Sequence, residues 1–251
     1  MAARAQVFVS IPQSYLGWAA QNIRRGSVTR ACFEAQFSSM SGAMEIEIKL
    51  ACGAHHARAL LKHPVISQLA PDAHPTRNKL INVYFDTDDY ELRRQKMALR
   101  LRRIGLQWLQ TLKASGERKN GVAMRKEWEM PVSGQAIEFR RLRDTPLDGA
   151  LEIIGDPARL QPIFRVEFIR EAWLLKPFPR YAPDFIAEVA FDHGQILAGD
   201  KTDRISEIEL ELKAGHVREL EYLAHLLMRD LKIKEEPRSK AKRGYSMLKG
   251  E

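Results

Sequence analysis

The sequence predicts a β-rich α+β fold, in which many antiparallel strands form a sheet or a closed barrel and a few helices pack outside it. Two observations predict this class. Most segments after Met44 alternate apolar and polar residues with period two, which is typical of β-strands. Short turns separate these segments, and only residues 54–70 and 216–231 show apolar residues near helical spacing.

The first predicted strand, residues 44–51, has the sequence MEIEIKLA and alternates strictly. One of its faces is apolar and the other is charged, as two sets of residues show: Ile46, Ile48 and Leu50 against Glu45, Glu47 and Lys49. A half-buried strand explains such a pattern without any functional role. The charged face therefore indicates a functional role only if other strands repeat it.

Two helices and one mixed region are predicted among the strands. The first helix, residues 54–70, contains Pro64, which is expected to kink or split it. A region rich in Pro and Gly over residues 136–162 is expected to hold short helices, and the last predicted helix covers residues 216–231. A strongly basic tail, residues 235–251, follows that helix.

Strands account for most of the remaining pattern. After the first strand they are residues 80–87, 97–104, 107–114, 122–131, 163–176, 183–191, 194–197 and 205–213. Hairpin turns are predicted at Gly105 and at Ser115-Gly116, because these residues separate two pairs of neighbouring strands.

The composition fits one large domain, or one domain with a tail, that has an anionic partner. The chain has 251 residues, a formal net charge of +8 and a sequence pI of about 9.5. Such a charge favours nucleic acid, an acidic lipid or a phosphorylated small molecule. No apolar run is long enough to cross a bilayer, and two cysteines without a CxxC pair indicate a reducing compartment. We therefore expect a cytoplasmic protein that does not enter membranes.

Residues 1–43 differ from the rest, because they contain four arginines, no lysine and a single acidic residue. We expect this N-terminal extension to be poorly ordered. An Arg-rich, acid-poor segment is typical of an organelle transit peptide. A start codon assigned too far upstream is the favoured alternative, since Met44 stands directly before the first strand.

Later strands repeat the charged face in blocks of like sign. Arg100 and Arg102 share one strand face, and residues 207–213 (EIELELK) present three glutamates on another. Like charges in such positions repel each other unless an opposite charge lies between them. Rows of carboxylates attract a divalent cation, and rows of arginine and lysine attract a polyanion. If the sheet closes with its helices outside, these rows line a lumen suited to a metal-bound polyphosphate.

Several motifs occur in the order found in one protein family. Glu45-x-Glu47-x-Lys49 is an ExExK motif at the start of the domain. The motifs after it are YFDT (84–87), LRLR (99–102), TLK (111–113), RKEWE (125–129), REAW (170–173), EVAFDHG (188–194), EIELELK (207–213) and SKAKRGY (239–245). The ordered set resembles the CYTH domain of the triphosphate tunnel metalloenzymes over residues 44–248, with the strongest likeness to their bacterial inorganic triphosphatases. Longer relatives append a helical CHAD domain, which we expect to be absent because the sequence ends at Glu251.

The resemblance implies a closed eight-stranded antiparallel β-barrel that forms a tunnel, with a triphosphate bound inside beside Mg²⁺ or Mn²⁺. The acids it implies for the metal are Glu45, Glu47, Glu127, Glu129, Glu188, Asp192, Glu207, Glu209 and Glu211. The side chains it implies for the phosphates are Arg100, Arg102, Lys113, Arg125, Arg170 and Lys240. The catalytic residues it implies are Lys49, Glu47, Arg100 and Lys113. Lys49 would lie near the terminal phosphate and help to orient the attacking water.

Two of these residues are placed less directly by the pattern. Arg170 has the opposite parity to Arg165 and Glu167, so either a bulge intervenes or only one of the two arginines faces the tunnel. The motif favours Arg170, and Arg165 is the alternative. Lys240 belongs to the basic tail, where a solvated surface residue would fit equally well.

The implied activity is metal-dependent hydrolysis of inorganic triphosphate to pyrophosphate and phosphate. Hydrolysis of thiamine triphosphate and cyclisation of ATP need the same phosphate clamp, and no residue of the sequence distinguishes them. A module that only binds polyphosphate is a further alternative, although it would not need so many carboxylates. Nucleic acid is a disfavoured partner, because aromatic residues do not alternate with basic ones along the strands. A monomer and a homodimer are both compatible with the sequence.

Overall fold

A computed structural model describes residues 42–70, 74–176 and 184–249. Eight long strands form the body of the domain. They are β1 (Ala43–Ala51), β2 (Thr76–Asp86), β3 (Ala98–Ile104), β4 (Gln107–Lys119), β5 (Val122–Val132), β6 (Gln161–Leu175), β7 (Ile186–Ala198) and β8 (Lys201–Ala214). The extension predicted to be poorly ordered lies outside the described residues as far as residue 41.

Strand β1 closes the sheet into a barrel. Neighbouring strands follow the order β5-β4-β3-β2-β6-β7-β8-β1, and β1 also pairs with β5. The change of partner occurs at Glu47, which pairs with Glu211 of β8 and with Ala123 of β5. All of these pairings are antiparallel, so the predicted closed eight-stranded barrel is confirmed. A two-residue strand, β9 (Lys234–Glu235), pairs with the far end of β1.

Helices pack against the barrel. They are α1 (His56–Leu61), α2 (Pro64–Leu69), α3 (Glu91–Arg94), α4 (Leu147–Ile154), α5 (Val217–Leu231) and α6 (Lys240–Lys249). Pro64 splits the helix predicted over 54–70, because it starts α2 at a position where no backbone N–H is needed. The buried stripe of α5, including Leu220 and Leu227, packs on the outer apolar residues of β1, β7 and β8. Within the described residues, no helix has the length and apolar character needed to cross a membrane.

A second apolar cluster lies beneath the connection from β5 to β6. Helix α4 contributes Leu147, and a short 3-10 helix before it contributes Leu142. These side chains pack on Leu99 and Trp128 from the outer faces of β3 and β5. The region predicted as mixed over 136–162 therefore covers the barrel wall with short helices. Because both apolar clusters lie outside, the opposite strand faces are left to line the lumen.

A third apolar cluster lies on the inner strand faces, at the end of the barrel where β7 ends and β8 begins. Here Phe164 and Phe168 of β6 pack with Tyr84 of β2 and with Tyr245 of α6. The rings of Phe164 and Tyr245 meet edge to face, with their centroids 5.2 Å apart. The basic tail is thus a helix with an apolar side that covers one end of the lumen.

The hairpin turn predicted at Ser115-Gly116 is wrong. Strand β4 continues to Lys119, and its register with β5 shifts between Lys113 and Gly116, which marks an irregularity of the β-bulge type. The chain turns instead at Asn120-Gly121, where both residues have positive φ angles, of 49° and 81°. A Ser-Gly pair suits a turn and a bulge equally well, so the residue types alone did not distinguish them.

A single strand, β7, replaces the two strands predicted over 183–191 and 194–197. Gly194 pairs with Phe168 of β6 and continues the ladder instead of ending it. A β-carbon at Gly194 would overlap the carbonyl oxygen of Glu167. The glycine therefore allows β7 to lie close to β6 at this position. The predicted break at residues 192–193, between the two strands, is therefore wrong.

Candidate active site in the barrel lumen

Charged side chains from β1, from β3 to β8 and from α6 meet inside the barrel. The carboxylates are Glu45, Glu47, Glu127, Glu129, Glu188, Asp192, Glu207, Glu209 and Glu211. The cations are Lys49, Arg100, Arg102, Lys113, Arg125, Arg170, Lys213 and Lys240. The strand residues share one face because they occupy alternate positions. The structure therefore brings together all the residues that the sequence selects for metal and phosphate.

Glu45 and Glu47 form the first group of ion pairs. Lys113 Nζ contacts both carboxylate oxygens of Glu45, at 2.6 and 2.8 Å, and lies 3.1 Å from Glu127. Arg125 donates from Nε to Glu45 at 2.7 Å and from Nη2 to Glu47. Burial alone would raise the pKa of Glu45, but Lys113 and Arg125 hold it well below its usual range. Glu45 is therefore ionised.

Glu209 lies at the centre of the second group. Lys49 donates to one of its oxygens at 2.5 Å, and Lys240 donates to the same oxygen at 2.9 Å. Arg170 contacts the other oxygen and also binds both oxygens of Asp192, at 2.8 and 2.7 Å. Burial would raise the pKa of Glu209, but Lys240, Lys49 and Arg170 hold it well below its usual range. Three cations thus share one carboxylate.

The third group consists of Arg100 and Arg102 with Glu127 and Glu129, and it is more loosely paired. Arg100 Nη2 lies 3.3 Å from Glu127 and 3.7 Å from Glu129. Arg102 lies 3.6 Å from Glu129, whose carboxylate also accepts a hydrogen bond of 2.9 Å from Thr111. These distances exceed those of strong charge-assisted hydrogen bonds. The two guanidinium groups therefore keep positive charge that the carboxylates only partly neutralise.

The carboxylates of Asp192, Glu207 and Glu209 fit a hard divalent cation. One oxygen from each lies within 4.8 Å of the others. Mg²⁺ and Mn²⁺ prefer oxygen ligands and keep some of their water, so a few carboxylates are sufficient to hold them. Lys240 Nζ contacts all three of these carboxylates and neutralises them.

Lys213 is a lumen cation that the sequence analysis did not select. Its side chain is 10% exposed and contacts Glu211 at 2.5 Å. The alternation within EIELELK places Lys213 on the same strand face as Glu209 and Glu211. The period-two pattern was therefore sufficient to identify it as a lumen residue. Burial raises the pKa of Glu211 to about 7; Lys213 opposes this shift and Glu188 adds to it.

Arg243 of α6 is a second residue that the sequence analysis missed. It is buried, donates from Nε and Nη2 to Asp203 at 2.9 and 2.7 Å, and lies 3.3 Å from Glu207. It thereby fixes α6 to β8 beside Lys240. A helix residue carries no period-two signal, so nothing in the strand pattern pointed to it.

Arg165 and Arg170 lie on opposite faces of β6. Arg165 pairs with Glu167 at 2.7 Å and exposes 48% of its side chain, whereas Arg170 lies in the lumen. The register between β6 and β7 runs without interruption from Arg165 to Leu175. No bulge therefore separates the two arginines, and only one of them faces the lumen.

The comparisons with known proteins agree with this geometry. The CYTH domain family matches residues 43–245. The inorganic triphosphatase of Haemophilus influenzae is 38% identical over 165 residues, which are 65% of this chain and 44% of that protein. The chain thus spans less than half the length of this relative.

A solved structure shows the same fold. HpAC1 from Hippeastrum, described as an adenylyl cyclase with a dominant triphosphatase activity, is 20% identical with a TM-score of 0.55. The match covers 81% of this chain and 96% of HpAC1. Since the family match extends over most of the sequence and the barrel is that of a CYTH tunnel, the chain belongs to the CYTH domain family.

Proposed function

We propose that the protein hydrolyses inorganic triphosphate to pyrophosphate and phosphate inside the barrel lumen, with Mg²⁺ or Mn²⁺ as the required ion. The observation that carries this proposal is the convergence of basic and acidic rows in one closed barrel. A compact polyanion matches the cations, and a divalent ion matches the carboxylates. A 38% identical relative is named an inorganic triphosphatase, and CYTH triphosphatases depend in general on a metal ion.

Arg100 and Arg102 are the proposed first contacts of the triphosphate. A guanidinium binds two phosphate oxygens at once, and neither arginine has a short contact to a carboxylate. Phosphate oxygens can therefore replace Glu129 at these groups without breaking a strong ion pair. Lys113, Arg125, Arg170 and Lys240 are the further proposed phosphate ligands from the surrounding walls.

Lys49 and Glu47 are the residues proposed to act on the attacking water. Burial lowers the pKa of Lys49, but Glu209 and Glu47 reverse this effect and raise it above the usual value. Lys49 is therefore a fixed cationic donor that orients the water or the terminal phosphate, and it is not a base. Glu47 accepts hydrogen bonds from Lys49 and Arg125. Its carboxylate is the group we assign to take the proton of the water.

The divalent ion is assigned to Asp192, Glu207 and Glu209, with Glu45 and Glu47 as further proposed ligands. When bound, it would neutralise charge that develops on the phosphate oxygens during transfer. The lumen cations would supply the rest of that neutralisation, and the closed barrel would confine the substrate.

Phosphate release by the full-length protein tests this function. Tripolyphosphate, thiamine triphosphate and ATP are each supplied with Mg²⁺, with Mn²⁺ and with a chelator. We expect metal-dependent release from tripolyphosphate far above release from the other two substrates. A preference for thiamine triphosphate would show that the protein is a thiamine triphosphatase instead. Binding of tripolyphosphate without release from any substrate would contradict hydrolysis and leave a binding module.

A further inference from the structure

Asn82 is a buried amide in the middle of β2 that the phosphate-binding set does not include. Its side chain is 0% exposed, and it faces the lumen because it pairs with Arg102 of β3 and shares its parity with Tyr84. Its Oδ1 accepts a hydrogen bond of 2.9 Å from Nε of Arg102. Because a guanidinium contains only donors, this contact fixes which end of the amide is the oxygen.

The amide nitrogen of Asn82 is a buried donor with nothing to donate to. Among the residues that the structure describes, none accepts a hydrogen bond from Nδ2. Nε of Arg100, on the same face of the neighbouring strand, is buried and lacks an acceptor as well. Folded proteins rarely leave buried donors unpaired, because the loss of water is then not compensated. Two such donors on adjacent strands indicate that a ligand supplies the acceptors.

The charge around Asn82 indicates the kind of acceptor. The carboxylate oxygens paired with Arg100 and Arg102 are 3.3 Å or more away, whereas Arg170 binds both oxygens of Asp192 at 2.8 and 2.7 Å. Burial and the neighbouring Arg100 lower the pKa of Arg102, whereas Glu129 and Glu127 oppose this shift. An anionic oxygen therefore fits this position better than a neutral one.

We propose that Asn82 is a phosphate-binding residue whose Nδ2 donates to a non-bridging oxygen of the phosphoryl group held by Arg100 and Arg102. This inference rests on the proposed triphosphate substrate. The amide is suited to the position because it donates to the phosphate and accepts from Arg102 at the same time. A carboxylate in its place would hold Arg102 but repel the phosphate, and an apolar side chain would do neither.

Calorimetric titration of the full-length protein with tripolyphosphate, in the presence of a chelator, separates binding from catalysis. Asn82→Asp keeps the acceptor for Arg102 and replaces the donor by a negative charge. We expect its dissociation constant to rise about 10- to 100-fold, which corresponds to one charge-assisted hydrogen bond. Its melting temperature should not fall, because the new carboxylate lies beside a guanidinium. Asn82→Leu removes both functions and is expected to lose affinity by a similar factor.

Asn120→Asp is the matched control, since it makes the same substitution at an exposed turn residue outside the lumen. Asn82→Leu, which adds no charge, separates the loss of the donor from the effect of the new charge. Wild-type affinity in both Asn82 variants, or an equal loss of affinity in Asn120→Asp, would overturn the inference. If the wild type binds tripolyphosphate but does not hydrolyse it, the proposed function is wrong and the role of Asn82 in binding still stands. If the wild type does not bind tripolyphosphate, both the proposed function and the inference about Asn82 are wrong.

Discussion

The ammonium nitrogen of Lys240 lies 2.6 Å from a carboxylate oxygen of Glu207. The same nitrogen contacts Asp192 at 2.6 Å and Glu209 at 2.9 Å, so one cation from α6 neutralises three carboxylates of β7 and β8. These are also the carboxylates whose oxygens lie close enough together to hold a divalent ion. A divalent ion at this proposed site would therefore compete with the ammonium of Lys240 for the same oxygens.

Lys240→Met is expected to destabilise the protein in metal-free buffer. The substitution keeps the length of the side chain but leaves buried carboxylates without one of their cations, which costs about 3 kcal/mol in comparable sites. Mg²⁺ should then raise the melting temperature of the variant more than that of the wild type, because the ion no longer competes with the ammonium. Thermal melts with a chelator and with Mg²⁺ measure both effects.

Lys242→Met is the control for this prediction, because Lys242 is exposed on the same helix. It should melt like the wild type with and without Mg²⁺. An equal response of Lys240→Met and the wild type to Mg²⁺ would show that the ammonium and the ion occupy different places.

Lys113→Met and Glu47→Gln are expected to lower kcat/KM for tripolyphosphate by about 100- to 1,000-fold, the size of effect found when one charge-stabilising group is lost. The reason is that each side chain neutralises or positions a charged group at the centre of the lumen. Both variants should still fold, since Arg125 continues to pair with Glu45. Lys126→Met, on the exposed outer face of β5, is the control. Normal hydrolysis by Lys113→Met or Glu47→Gln would show that the site is misplaced.

The strand contributions to the lumen could be predicted because the parity of a strand residue determines which face it occupies. Glu45, Arg102 and Glu209 are distant in the sequence, yet the same alternation puts each of them inside once the outer faces are seen to be apolar. The family resemblance then added the number of strands and the closure. Neither follows from periodicity, since an open sheet would show the same alternation.

The contributions of α6 could not be predicted in this way. Lys240 and Arg243 enter the lumen only because the apolar side of α6, with Tyr245, packs against Phe164 inside the barrel. This packing depends on tertiary contacts between distant segments, and the local sequence around Lys240 shows mainly its positive charge. The motif resemblance suggested a role for Lys240, but its three carboxylate partners became visible only in the structure.

The pH dependence of stability should differ between Glu211→Gln and the wild type. The pKa of Glu211 is about 7 in the folded protein, against a usual value of 4.5, so the folded state binds this proton more tightly. The residue therefore contributes stability that is complete below pH 4.5 and is lost as the pH rises through 7. Glutamine mimics the protonated acid at every pH. The free energy of unfolding of the variant should therefore rise relative to that of the wild type between pH 5 and pH 8.

The expected gain is about 1–2 kcal/mol, because water screens a side chain that is 28% exposed. Urea unfolding at both pH values, in the presence of a chelator, measures it. A pH-independent difference between Glu211→Gln and the wild type would mean that Glu211 is ionised throughout this range.

The same substitution, glycine to alanine, is expected to have opposite effects in α6 and in α4. A β-carbon at Gly244 would overlap the ring of Phe164, so Gly244→Ala moves α6, and with it Lys240, away from the barrel. The free energy of unfolding should fall by about 1–3 kcal/mol, and phosphate release should fall with it. A β-carbon at Gly149 meets nothing within 4 Å, so Gly149→Ala should add about 0.5–1 kcal/mol through helix propensity. Urea unfolding and phosphate assays of both variants test the contrast. A stable, fully active Gly244→Ala would show that the close approach of α6 is not what holds Lys240 in the lumen.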